Sequence, residues 1–277
     1  MLRGFYTAAS GMLTQQKMTE LLTNNMANAN TPGFKADQAS VRAFPELLLQ
    51  RINNPGVPNT GVQLPGGRTI GALNSGAYLQ ETIPNFIQGD LQDTGRKTDI
   101  ALQDLNVPIN VQTGQRSSLF FHVQDANGES RYTRNGNFTI DGQGFLTTNE
   151  GFYVLNENNE RIMINSGDFT LQEDGTIIEN NQAIGRLNIV LAENPNALVK
   201  EGNGLFRTED GQALQTAIGN EDVAYSLKQG FVERSNVDAA QTMTQMLTAF
   251  RAFEANQKVL QAYDKSMDKA VNEIGRL

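Results

Sequence analysis

The chain has no cysteine and only one histidine in 277 residues. Without a thiol there is no disulfide, no thiolate nucleophile and no Cys-ligated zinc, and cysteine usage assigns no redox compartment. A single imidazole excludes a His-cluster metal site, and the scattered carboxylates lack the spacing of a calcium loop. Basic residues are the minority, 22 Lys and Arg against 30 Asp and Glu, for a formal charge of −8. Nucleic-acid binding and a polybasic membrane anchor both need clustered cations, so neither is expected. No run approaches the roughly 18 apolar residues that span a bilayer. The opening stretch MLRGFYTAASGMLTQQK carries one early Arg. Polar residues then stand where a signal peptide places its apolar core. A role outside the cytoplasm would therefore need another export route.

Catalytic signatures are equally scarce. His122 lies in LFFHV, where strand alternation sets it on the face of Phe120 and opposite Phe121 and Val123. No nucleophile or carboxylate signature accompanies it, so a structural role is expected. The stretch DGQGF (141–145) is a turn before a strand, because no Lys-Ser/Thr and no helix follow it. Acidic pairs abound, but none stands out as a hydrolytic dyad. The reading is a non-enzyme with no cofactor and no bound metal.

What is present lies first at the two ends. A helix is expected from about Leu2 to Ala27, with Phe5, Ala9, Met12, Leu22 and Met26 near one face and Gln16 and Thr19 interrupting it. So thin a stripe needs a partner. The helix runs into NNMANANTPGFK (24–35). Asparagine competes for backbone hydrogen bonds, Pro32 pushes Thr31 out of the helical region, and Gly33 supplies freedom at positive φ. The stretch ends a helix at a fixed place and hands the chain to something extended.

The C-terminal end is stronger. Ser235 followed by Asp238 resembles a capping box. From there Met243, Met246, Phe250, Phe253, Gln257, Leu260, Asp264, Met267, Val271 and Ile274 alternate spacings of three and four. That is a heptad seam over about five heptads. A helix of about 37 residues would run roughly 55 Å, a length that favours a coiled coil over a core helix lying on its own domain.

Between the ends, residues 50–76 (QRINNPGVPNTGVQLPGGRTIGALNSG) read as a long loop or extended connector. From about residue 86 to 225 short alternating runs are divided by turn dipeptides. SLFFHVQ, Asn127-Gly128 and SRYTR form a hairpin candidate, with further turns at Asn135-Gly136, Asp141-Gly142 and Asp174-Gly175. Such spacing argues an all-β domain. The expected fold is α+β: an all-β centre flanked by long terminal helices that pair as a coiled-coil-like discontinuous domain. Its parts are an N-terminal helix and turn (1–35), an extended connector (36–85), a β-rich outer domain (86–228) and a C-terminal heptad helix packing with the first (229–277).

The two ends carry a resemblance. NNMANANTPGFK resembles the N-terminal signature of bacterial flagellar rod and hook proteins, the axial family, through Asn28, Asn30, Thr31, Pro32, Gly33, Phe34 and Lys35. LKQGFVERSNVDAAQTMTQMLTAFRAFEANQKVLQAYD is similar to that family's C-terminal signature, with Gly230, Glu233, Ser235, Asn236, Val237, Arg251, Glu254, Ala255 and Asn256 in matching places. GDLQDTGRKTDIAL (89–102), RYTRNGNFTIDGQGFLTTNEGFYVL (131–155) and GNGLFRTEDG (202–211) also look like family segments, and residues 44–71 are most similar to the connector of distal-rod members. Residues 103–119 depart from the family, which usually has a short turn there.

The resemblance implies a structural subunit of the flagellar basal body, exported without a cleaved signal peptide by the flagellar export apparatus. Its partners would be itself and other rod and hook subunits. It would assemble helically through its terminal helices, with Phe5, Met12, Leu22, Met26 and the apolar seam residues of the C-terminal helix as packing residues. Two alternatives stand beside a distal-rod-like subunit: a hook or hook-junction member, and a non-polymerising module docking on the rod or cell wall. A wall-cutting hydrolase is the weakest reading, since no single carboxylate suggests itself.

Overall fold

The structure, a computed structural model, describes residues 2–51, 68–110, 114–125, 127–165 and 167–274. The chain is α+β, with a β-rich centre between helix α1 (Leu2–Ala27) and helix α2 (Ala239–Lys269), which runs into a π-helical segment at Ala270–Ile274. It divides into two units. One comprises Met1–Asn24, Asp37–Ile83 and Ala240–Leu277; the other comprises Asn25–Ala36 and Pro84–Ala239.

The first unit joins both terminal helices to four strands: β1 (Asp37–Ala43), β2 (Leu47–Arg51), β3 (Arg68–Leu73) and β4 (Ala77–Pro84). β1 pairs with β4, and β2 pairs antiparallel with β3 from Leu47↔Leu73 to Arg51↔Arg68. The nested pairs make a two-stranded ribbon, so the stretch read as loop or connector is in part strand; residues 52–67 lie outside the described residues. Helix α1 meets this ribbon through hydroxyls. Thr14 Oγ1 donates to Ala77 O at 2.9 Å and Thr7 Oγ1 to Ser75 O at 3.2 Å. That explains the thin apolar stripe of α1, because one of its faces is satisfied by backbone carbonyls.

A second face of α1 turns to α2. Thr23 Oγ1 lies 3.8 Å from Met246 Sδ. A Cβ placed on Gly11 would come 3.0 Å from Asn256 Nδ2, and one on Gly4 would strike Tyr263 Oη. These contacts run in opposite order along the two helices, so the helices lie side by side and antiparallel. Along α2 and into the π-helical segment, Thr242, Met246, Ala249, Phe253, Asn256, Leu260, Tyr263, Met267 and Ala270 are buried or half-buried, again spaced by fours and threes, with Ala252 half-buried beside them. This register shares Met246, Phe253, Leu260 and Met267 with the sequence-derived seam. Thr242, Ala249, Asn256, Tyr263 and Ala270 stand in place of Met243, Phe250, Gln257, Asp264 and Val271. Small residues at 242 and 249 admit a neighbouring helix, whereas a seam drawn through the bulkiest side chains falls one residue away. Met243, Phe250 and Val271 are exposed by 54%, 51% and 71%.

In the second unit, β5 (Leu91–Asp93), β6 (Ile100–Asn106), β7 (Ser118–Gln124) and β8 (Ser130–Thr133) precede a series of short strands. β7 is the hub of a nine-stranded sheet. One edge pairs with β8, as the hairpin reading required, and the other with Ile189–Ala192 and Tyr153–Val154 in turn. Both faces of β7 are covered. Leu119, Phe121 and Val123 enter a large apolar cluster, and Phe120 enters a smaller one with Tyr132, Val190 and Phe206. Past β6 the atypical 103–119 segment turns back through an Ile109↔Arg116 bridge, leaving Leu105 and Ile109 exposed; residues 111–113 lie outside the described residues. β6 also pairs with Ala224–Gln229, and β5 with Phe231–Glu233, which carries the chain to its C-terminal signature.

Candidate functional site: a clasp of buried charges

α1 ends at Ala27, as the asparagine run dictates. Thr31 N donates to Asn28 O at 3.1 Å and Thr31 Oγ1 to Asn28 Oδ1 at 3.2 Å, closing a turn with Asn30 exposed. Pro32 follows, and Gly33 takes φ +68°. A Cβ at Gly33 would fall 2.5 Å from Arg134 C and Asn135 N, so the turn presses flat against the β unit. Phe34 and Lys35 then enter the interior.

Lys35 Nζ lies 2.6 Å from Glu233 Oε1 and donates to Ile87 O at 2.8 Å. Glu233 Oε2 accepts from Arg134 Nε at 2.6 Å, and Arg134 Nη1 lies 3.0 Å from Asp104 Oδ1. Two cations and two anions are thus interleaved. The side chains of Lys35, Arg134 and Glu233 are each no more than 2% exposed. The guanidinium also donates to Leu119 O at 2.6 Å and Leu102 O at 3.0 Å, which anchors it to β7 and β6. Gly89 N donates to Glu233 Oε1 at 2.9 Å, and Gly33 N to Glu233 O at 2.8 Å. Burial alone would raise the Glu233 carboxyl; Arg134 and Lys35 outweigh it and hold the group below its usual range. Removing one member of so buried a pair strands the others without water, typically costing about 3–5 kcal/mol.

Asn236 extends the clasp. Its Oδ1 accepts from Ala36 N at 2.7 Å, and its Nδ2 donates to Asn85 O at 2.7 Å and Ile87 O at 3.0 Å. One amide therefore ties three segments distant in sequence. Gly230, at φ +84°, donates its N–H to Asp99 O and accepts from Thr94 N, both at 2.8 Å. Ser235 accepts from Val237 N at 3.3 Å in a tight turn, so it does not cap α2; the helix begins at Ala239, which puts Asp238 in the capping position. The clasp does not include Arg251 and Glu254, which are exposed on α2, nor Asn256, which faces Gly11. Phe5, Met12 and Met26 are half-buried and Leu22 is buried on α1; Ile274 ends the π-helical segment.

His122 is buried, stacked on Tyr132 at 5.5 Å, with Nδ1 3.1 Å from Asn188 Nδ2. Burial lowers its pKa, which makes it a neutral core residue. Among the described residues no group of three acidic or histidine side chains could hold a metal ion, and no helix is long and apolar enough to cross a membrane.

Comparison with known proteins gives these residues a context. Residues 5–35 match the family described as flagella basal body rod protein. Residues 118–179 match the flagellar hook protein FlgE/F/G D1 domain, and residues 228–273 the flagellar basal body rod FlgEFG protein C-terminal family. The chain is 48% identical to the flagellar hook-basal body complex protein FlhO of Bacillus subtilis (strain 168), over 100% of both chains. It is 33% identical to the flagellar basal-body rod protein FlgG of Borreliella burgdorferi, over 98% of both, and 31% identical to FlgG of Bacillus subtilis, over 98% of this chain and 99% of that one. The chain belongs to the flagellar basal-body rod and hook protein family. It is a structural subunit of the basal body, in a family of structural proteins and not of enzymes. Lys35, Arg134 and Glu233 fall one in each of the three matched regions, so the clasp is where the rod-family segments meet. Sequence reading found Lys35, Glu233 and Asn236 but not Arg134 or Asp104. The available signal was Arg134 beside the Asn135-Gly136 turn in a family-like stretch.

Proposed function

We propose that this chain polymerises helically, with copies of itself and with neighbouring rod and hook subunits, through α1 and α2, and transmits torque to the hook. On this reading α1 and α2 form an antiparallel coiled-coil-like pair, with the 242–270 register facing inward within one chain. The observation that carries it is the apolar residue set left over: Met243, Leu247 and Phe250 follow one another at helical spacing and are about half exposed on a protein with eight surplus negative charges. A contact that repeats from copy to copy without closing builds a filament. The segments 1–35 and 229–277 then serve assembly, 36–85 serves as connector and 86–228 as outer domain. The subunit reaches the basal body through the flagellar export apparatus. Identity of 48% with FlhO and 31% with FlgG of the same organism, over nearly the whole of each chain, supports a rod subunit of the distal-rod-like kind.

The test is Phe250→Asp. The purified variant should keep the circular dichroism and melting temperature of the parent, because Phe250 is outside the intrachain seam, while rod incorporation and motility are lost. Normal motility would sink the assembly reading. Phe253→Asp, placed in the seam, should destabilise the isolated subunit as well.

A further inference from the structure

The clasp differs in kind from the rest of its unit. The two apolar clusters of that unit contain no residue from 25–36 or 230–239. Those two segments are held by the ion pairs of Glu233, the side-chain amide of Asn236 and a two-stranded pairing with β5, with Phe34 and Val232 buried outside both apolar clusters. Arg134, in contrast, is fixed by carbonyls of β6 and β7 and belongs to the sheet. The socket for Glu233 therefore exists once the sheet is formed, and the sheet's apolar core does not need Glu233 to fill it. Lys35 and Glu233 are 198 residues apart, so bringing them together is a late step by loop-closure entropy. Segments that lie outside the main apolar clusters are the ones that open below the free energy of global unfolding.

We infer that the clasp is a latch: residues 33–36 and 231–236 release from the β unit together, as one cooperative event, while the sheet stays folded. Cooperativity follows from the sharing of partners. Glu233 binds Lys35, Arg134 and Gly89; Asn236 binds Ala36, Asn85 and Ile87; and Ile87 O receives both Lys35 and Asn236. Withdrawing Glu233 strands Lys35 without its carboxylate, and withdrawing residues 33–36 strands Asn236 Oδ1 without its donor, Ala36 N. Neither segment leaves alone at a lower cost than both leave together. The latch gives the subunit a state in which both chain ends are freed at once from a finished outer sheet. Joined to the assembly reading above, that is a state able to hand both terminal helices to a growing tube.

Hydrogen exchange on the full chain tests this. Four reporter amides are Gly33, Ala36, Gly89 and Arg234, whose acceptors are Glu233 O, Asn236 Oδ1, Glu233 Oε1 and Asp90 O. They should share one protection factor, lower than that of Phe121 and Val190 in the sheet. Glu233→Gln should speed all four on the order of 100-fold, the scale of breaking a buried pair, and leave Phe121 and Val190 within about twofold. Asn236→Ala is the second variant and the sharper one. It removes the acceptor of Ala36 only, yet Gly33, Gly89 and Arg234 should accelerate with it. Overturning results are clasp amides as protected as the sheet, acceleration of Ala36 alone in Asn236→Ala, or equal acceleration of the sheet in either variant. None of these outcomes depends on the Phe250 motility result, so the latch and the assembly reading fail separately.

Discussion

At Glu233 two cations share one carboxylate beyond the reach of water, which couples that proton to folding. Its folded pKa lies below the ordinary 4.5, so its stabilisation is complete above that value. The stabilisation is lost as pH falls through the lower folded value. The charges facing it are Lys35 and Arg134, with Asp104 behind Arg134. The gap in melting temperature between the parent and Glu233→Gln should be constant near neutrality and close as pH falls below 4.5; a gap that persists in acid would mean the carboxylate is not the stabilising group. Gly33→Ala tests the other side of the clasp. Positive φ and contact with the Arg134 backbone should make it cost more than about 1 kcal/mol in urea unfolding. A loss of a few tenths would show that the turn can shift. The break at Thr31-Pro32-Gly33 is legible in sequence as a fixed helix end, and Lys35, Glu233 and Asn236 stand out there only as positions resembling the family signatures. Arg134 was not legible: it stands 99 residues from Glu233, and an arginine beside a hairpin turn reads as solvated until tertiary structure encloses it.

Helix α2 shows what periodicity does and does not decide. Its existence and length follow from a long stretch without Pro or Gly, and the 3–4 alternation is real. The register turns on residues that hydropathy ranks low. Thr242 and Ala249 are the buried positions of α2, whereas Met243 and Phe250 are exposed. Small side chains at the contact let two helices approach closely, so a small residue marks the seam as surely as a large one. Ala249→Leu should therefore cost about 1–3 kcal/mol through overpacking, and Phe250→Ala, at an exposed position, less than about 0.5 kcal/mol. Thermal melts of the two variants check the register, and the reverse ranking would restore the seam through Met243 and Phe250. The ribbon of β1–β4 was harder to read. Its strands lie among Gly, Pro and Asn, and the burial of β1 and β4 follows no strict alternation.

On the scale of the whole chain, the α+β organisation with a helix at each end is what two helical termini around a turn-rich centre require. The unit boundaries were less accessible, because one unit is assembled from three separated pieces of sequence while the other is nearly continuous from Pro84 to Ala239. That continuity has a topological consequence. Asn236 Nδ2 donates to Asn85 O, so this unit starts and finishes at one spot. A segment whose ends meet is a cassette: it can be lengthened, pared down or exchanged for another fold, provided its two ends return a few ångströms apart. A replacement within residues 86–235 would thus keep the join so long as the side chain at position 236 still reaches Asn85 O.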